Sequence, residues 1–249
     1  MPASDLVLAP LVRKLGAWVE LSQADERAIA SLPHRVKSMD RHSFIIRDRQ
    51  ETTHCCVMLS GFAIRHKIVA GGARQIVSIH MAGDVVDLQN VLLGTADHNV
   101  ETLTVAEVAL IPREAIDAVA FAHPNVGRSM WIDTLVDASI FREWIANVGR
   151  RDARSRVAHL LCEFALRLEA AGLAQGTEYQ LPLTQEEIGD CVALTSVHVN
   201  RTFRCLEEDR LIARQHRRSV TIDDWRKLAA AGDFDSAYLH LRKQDCVAA

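Results

Sequence analysis

LTQEEIGDCVALTSVHVNRTFRCLEEDRLI, residues 183–212, decides the fold of the C-terminal third. Leu181-Pro182-Leu183 reads as extended, because the residue before a proline is pushed away from helical geometry. Thr184 supplies a capping hydroxyl, and Glu187 three residues on completes a capping box. Ile188 and Val192 share an inward face, and Gly189 between them leaves room for a second helix to approach. Ala193-Leu194 makes a turn with Leu194 as its buried plug, and Thr195 is a second N-cap. Val199, Phe203 and Leu206, at spacings of four and three, form the inner face of the next helix. Ser196, Val197, Asn200, Arg201 and Arg204 form its outer face. Leu211-Ile212-Ala213 and Ser219 to Ile222 read as two short strands, with Arg214, His216, Arg217 and Arg218 between them. A helix with polar donors on its outer N-terminal half suits base edges, and a basic hairpin suits a phosphate backbone. The order of caps, small residue, turn plug and basic hairpin predicts a winged helix-turn-helix, against a plain helical subdomain with a surface charge cluster. Its expected DNA-facing set is Thr184, Thr195, Ser196, Val197, His198, Asn200, Arg201, Arg204, His216, Arg217 and Arg218.

These residues resemble the helix-turn-helix of the Crp/Fnr bacterial transcription regulators. The resemblance implies an α+β chain: an N-terminal double-stranded β-roll like a cyclic-nucleotide-binding domain, a long dimerisation helix and a C-terminal winged helix-turn-helix. The corresponding expected domains are 1–124, 125–149 and 150–249. In related regulators an arginine of the recognition helix reads a guanine, and Arg201 matches its position. Many members carry a glutamate where Val197 stands. Valine cannot accept a hydrogen bond but can touch a thymine methyl, so the operator is expected to differ at that base.

The chain has 249 residues, enough for two modest domains, and 49% of them are hydrophobic. Net charge is −3, so attraction to nucleic acid must come from a local patch. No apolar run reaches membrane-span length and the start lacks the order of a signal peptide, so a cytoplasmic protein without a membrane partner is expected. The six cysteines are scattered without a C-x-x-C pair, as expected of reduced thiols. Cys162 and Cys205 read as small core residues. Cys55-Cys56, if in a strand, point to opposite faces and so do not share one metal. The Fnr branch holds an iron–sulfur cluster on clustered N-terminal cysteines; no such cluster is present, and that kind of oxygen sensor is not expected.

Leu11 to Leu32 reads as short helices, one capped by Ser22 with Asp25 and Glu26 in its first turn. From about His42 to Pro112 short strands alternate with turns. Phe44–Ile46, Val57–Leu59, Phe62–Ile64, Gln75–Ile79 and Val105–Leu110 are the candidates, punctuated by Gly61, Gly71-Gly72 and Gly83-Asp84. Repeated short strands with glycine turns predict a barrel or roll. The expected effector pocket is Val85, Asp87, Leu88, Gln89, His98 and Asn99. No arginine stands where cyclic-nucleotide-binding relatives hold the phosphate, and Asp87 and Asp97 would repel it. No cofactor is expected and cyclic AMP is not an expected ligand. His66, His80 and His98 read as surface or satisfied polar residues rather than metal or haem ligands, and Asp97-His98-Asn99 as a polar loop.

Asn125 to Val148 is helical in pattern. Trp131, Leu135, Ala138, Phe141 and Ile145 form one apolar stripe, expected to dimerise the chain; Ile132, Val136, Ile140 and Trp144 form another beside it. Gly149-Arg150-Arg151 reads as the hinge, Asp152 as the cap of a helix through Leu168 ending near Gly172, and Asp223-Asp224-Trp225 as the start of a tail helix to about Arg242. The reading is a homodimeric transcription regulator on palindromic double-stranded DNA, with an effector other than cyclic AMP or none, and with RNA polymerase as a partner the resemblance admits. The alternative is a small-molecule, haem or redox signal-binding module with a reduced DNA role. No enzyme motif is present: no G-x-S-x-G, no phosphate loop and no H-E-x-x-H.

Overall fold

The computed structural model describes residues 7–174, 176–215 and 218–241. They fall into two compact units, one drawn from residues 7–67 and 78–137, the other from residues 68–77 and 138–241.

The first unit opens with helices α1 (Ala9–Gly16) and α2 (Gln23–Ala30). Ser22 and Asp25 close a reciprocal capping box on α2. Strands β1 (Arg35–Met39), β2 (Phe44–Ile46), β3 (His54–Ser60), β4 (Ala63–Ile68), β5 (Arg74–His80), β6 (Asn99–Thr102) and β7 (Ala106–Pro112) follow, with the end of β4 and most of β5 lying in the 68–77 stretch that clusters with the second unit. A one-turn helix α3 (Asn90–Leu93) interrupts them and α4 (Arg113–Ala122) ends them. The strands form two sheets, ordered β1-β7-β3 and β2-β6-β4-β5. Gly61 between β3 and β4 has φ +76°, and a Cβ there would lie 2.5 Å from the Val105 carbonyl, so only glycine fits this turn.

Strand β3 is buried on both faces, which explains its run of apolar residues without alternation. Cys55 and Val57 join Leu11, Leu15, Ile29, Ala109, Ile111 and Met130 in a core between the strands and the helices. Cys56 and Met58 join Met39, Ile46, Val86, Val100 and Val108 in a second core. The two thiols therefore do point to opposite faces. Burial holds both far above the usual cysteine range, which keeps them protonated and suppresses thiolate chemistry.

Helix α5 (Pro124–Arg150) is unbroken. Within the first unit, Val126 and Met130 enter the helix-side core, Trp18 Nε1 donates to Asp133 at 3.0 Å, and Arg65 donates to Asp137 at 2.7 Å.

In the second unit Asp152 caps α6 (Ala153–Ala170) by accepting from Ser155 N–H at 2.8 Å. Helix α6 is buried on nearly every side and forms the centre of this unit. Around it lie β8 (Glu178–Gln180), α7 (Gln185–Val192), α8 (Ser196–Glu208), β9 (Ile212–Ala213), β10 (Ser219–Ile222) and α9 (Trp225–Ala231), then a 3₁₀ turn at Ser236–Leu239. The strands pair in the order β8-β10-β9. Glu163 of α6 is buried, and its carboxylate accepts from Trp144 Nε1 of α5 at 2.9 Å and from the Tyr238 hydroxyl at 2.7 Å. His159 stacks on Tyr238. The tail thus completes the core of this unit, as expected of a packing segment; Arg242 and Cys246 lie outside the described residues.

Several expectations need correction. Gly149 and Arg150 are still helical, and the chain breaks at Arg151-Asp152 instead, where the Asp152 cap starts the next helix. Asn99 begins β6 rather than lying in a loop, because Asn99 and Val100 pair with His66 and Arg65. His66, His80 and His98 are buried, not at the surface. Leu194 is half-buried, so it is an incomplete plug. Cys205 is likewise half-buried. Three strands escape the sequence pattern: β1, which is exposed along most of its length, β6, and the three-residue β8.

Candidate nucleic-acid interface

Helix α7 starts on the expected box: Thr184 N–H donates to Glu187 Oε2 at 2.6 Å and Glu187 N–H to Thr184 Oγ1 at 3.2 Å. It stops at Ala193, whose φ of +53° turns the chain back. Gly189 permits this return: a Cβ there would sit 2.4 Å from the Leu194 carbonyl. The close neighbour is thus the turn itself, not the second helix. Thr195 caps α8 by accepting from His198 N–H at 3.3 Å, and its hydroxyl lies 3.1 Å from His198 Nδ1. Thr184 and Thr195 therefore place the two helices through their caps.

Helix α8 is divided between its faces as its spacing requires. Val199, Phe203 and Leu206 are buried, each worth roughly 1.5–3 kcal/mol of apolar burial. Ser196, Val197, His198, Arg201 and Arg204 are exposed, and Asn200 is half-buried. Val197 is 75% exposed. Arg218 at the end of the hairpin is exposed; His216 and Arg217 lie outside the described residues. Arg214 is not a free cation, because it forks onto Glu207 at 2.8 and 2.7 Å and thereby holds that carboxyl below the usual range.

The roll holds a polar cluster that the strand pattern only partly shows. Val85, Asp87 and His98 are buried, while Leu88, Gln89 and Asn99 are half-buried. An arginine that the strand pattern does not single out, Arg65 of β4, is 4% exposed and donates to Asp137 at 2.7 Å and to the Val86 carbonyl at 2.8 Å. Asp87 accepts from Cys56 N–H at 2.9 Å through Oδ1. Burial pushes its carboxyl up to about 7, against the pull of that hydrogen bond and of Arg65.

A carboxyl raised in the folded state from 3.8 to about 7 holds a proton that the unfolded chain has released, so stability falls as pH rises through that window and is flat above it. Asp87→Asn is expected to remove this slope and to be at least as stable as the wild type at about pH 8, with a difference of at most roughly 4 kcal/mol. Urea unfolding at about pH 5 and about pH 8 checks it. An Asp87→Asn penalty of equal size at both values contradicts it.

A capped helix pair with an exposed polar outer face, followed by a hairpin wing and preceded by a two-sheet roll and a long helix, defines a winged helix-turn-helix protein with an N-terminal β-roll. Residues 36–123 match the cyclic nucleotide-binding domain and residues 155–231 the Crp-like helix-turn-helix domain. The transcriptional activator protein FnrL of Cereibacter sphaeroides is 30% identical over 180 residues, 71% of this chain and 72% of that one. A probable transcriptional activator of Rhizobium leguminosarum bv. viciae is 28% identical over 203 residues, 78% of this chain and 83% of its own. The structure of FixK2 from Bradyrhizobium japonicum superposes with a TM-score of 0.73 at 23% identity, covering 80% of this chain and 98% of that one. The chain belongs to the Crp/Fnr family of transcription regulators. Cys55 and Cys56 sit in different cores of the roll.

Proposed function

We propose that this protein is a cytoplasmic, homodimeric transcription regulator that reads a palindromic operator, not an enzyme, and that RNA polymerase is the machinery it acts on. The outward face of α8 carries the reading. Arg201 and Arg204 stand in solvent on a helix whose other face is anchored in the core. Arg201 would take guanine O6 and N7, Val197 a thymine methyl, and Ser196, His198 and Asn200 neighbouring bases or phosphates. Arg218, with His216 and Arg217, would follow the backbone.

Dimerisation rests on α5. Trp131, Leu135 and Ile145 are exposed and Ala138 and Phe141 half-buried, whereas Val136, Ile140 and Trp144 of the neighbouring stripe are buried within the chain. A twofold partner is the simplest cover for the first stripe. Selection of duplexes from a randomised pool tests the function. The expected product is an inverted repeat with half-sites about one turn, 10–10.5 bp, apart; a pool that never enriches contradicts it.

The effector, if any, is other than cyclic AMP. Arg65 is engaged by Asp137 and Val86 rather than presented to a phosphate. Calorimetry with cyclic AMP is expected to show no saturable heat in the micromolar range; a saturable micromolar heat refutes this.

A further inference from the structure

The two legs of the wing are held unequally. The leg entering β10 is tied down on its far side, Leu181 N–H donating to the Arg218 carbonyl at 2.7 Å. The leg leaving β9 quits the ladder after Ala213, which pairs with Thr221. Beyond it an open cleft of about 890 Å³, lined by Thr184, Asn200 and Phe203 among others, lies between this leg and the helices. Arg214 crosses there. Its Nε and Nη2 donate to Glu207 Oε1 and Oε2 of α8 at 2.8 and 2.7 Å. Its guanidinium carbon stands 4.7 Å from the centroid of Phe203, a ring rooted in the core. A planar fork gripped at two oxygens and stacked on an aromatic ring is fixed in direction as well as distance. A carboxylate next to a DNA-reading helix otherwise only repels phosphate.

We propose that Glu207 and Arg214 are positioning residues: Arg214 is a strut rather than a phosphate contact, and it fixes the basic hairpin against α8 so that wing and recognition helix engage one duplex together. This rests on the DNA-binding reading above and assigns a role within it.

The test exploits opposite signs. Removing a negative charge beside DNA should tighten binding by simple electrostatics, whereas loss of the strut should weaken it. Glu207→Gln in the full chain is measured by fluorescence anisotropy on a pool-selected duplex and on its scrambled counterpart, across a salt series. The strut predicts affinity for the selected duplex lower by about tenfold, with a salt slope shallower by about one for each phosphate that the displaced wing no longer reaches. Tighter or unchanged binding overturns it. The exchanged pair, Glu207→Arg with Arg214→Glu, gives a second reading, and decides the question if Glu207→Gln does not fold. A strut recovers the ratio of selected to scrambled affinity above that of either single variant; a change of charge alone shifts binding to both duplexes alike and overturns the strut. A wild-type chain with no preference between the two duplexes removes the proposed function itself, and this role with it, before any variant is compared.

Discussion

Ile145→Asp, or Leu135→Asp, is expected to leave a folded monomer that binds the operator at least about a hundredfold more weakly. Ile145 and Leu135 are 69% and 56% exposed on α5, so neither substitution touches the chain's own core. In a twofold dimer each position occurs twice, and each buried side chain contributes roughly 1.5–3 kcal/mol. An aspartate there must either lose its hydration without a partner or keep the two helices apart. Operator binding falls because two linked half-site contacts become independent ones. Analytical ultracentrifugation gives the mass, and anisotropy on the selected duplex gives the affinity. A variant that still sediments as a dimer contradicts the assignment of this stripe.

Arg201→Ala is the second large effect. Loss of a bidentate guanine contact removes roughly 1–3 kcal/mol of discrimination per half-site, between about fivefold and 150-fold. Binding to scrambled DNA, which rests on phosphates, should change far less. Arg201 is exposed and contributes nothing to the core, so thermal stability should stay within about 0.5 kcal/mol of the wild type. The ratio of selected to scrambled affinity is the readout. Equal losses on both duplexes would make Arg201 a phosphate contact instead.

The C-terminal module is legible in the sequence because its determinants are local. Thr184 with Glu187, Thr195 with His198, and the set Val199, Phe203 and Leu206 each act across a separation of seven residues or fewer. The roll is legible as a class, through its glycine turns, but not strand by strand. β1 is exposed along most of its length and carries little period, and β6 owes its state to partners in β2 and β4. Arg65 in Ala63-Ile64-Arg65-His66 reads like any strand arginine, since its partner Asp137 is 72 residues away. The same holds for Glu163: nothing near it announces Tyr238, 75 residues on. Gly149 and Arg150 look like a hinge, yet glycine weakens a helix by only about 1 kcal/mol, and α5 runs on through both residues to end at Arg150. The DNA face of α8 is visible as a pattern of polar residues. The strut of Glu207 and Arg214 is not, because its two ends lie on different elements.

Hydroxyl-radical footprinting of the wild-type chain on its selected duplex, with the stoichiometry of the complex read alongside, tests the central claim most directly. Two chains bearing paired α8 helices predict two chains per duplex and two protected patches about one helical turn apart, related by the dyad of the repeat. One chain per duplex with a single protected patch would contradict it.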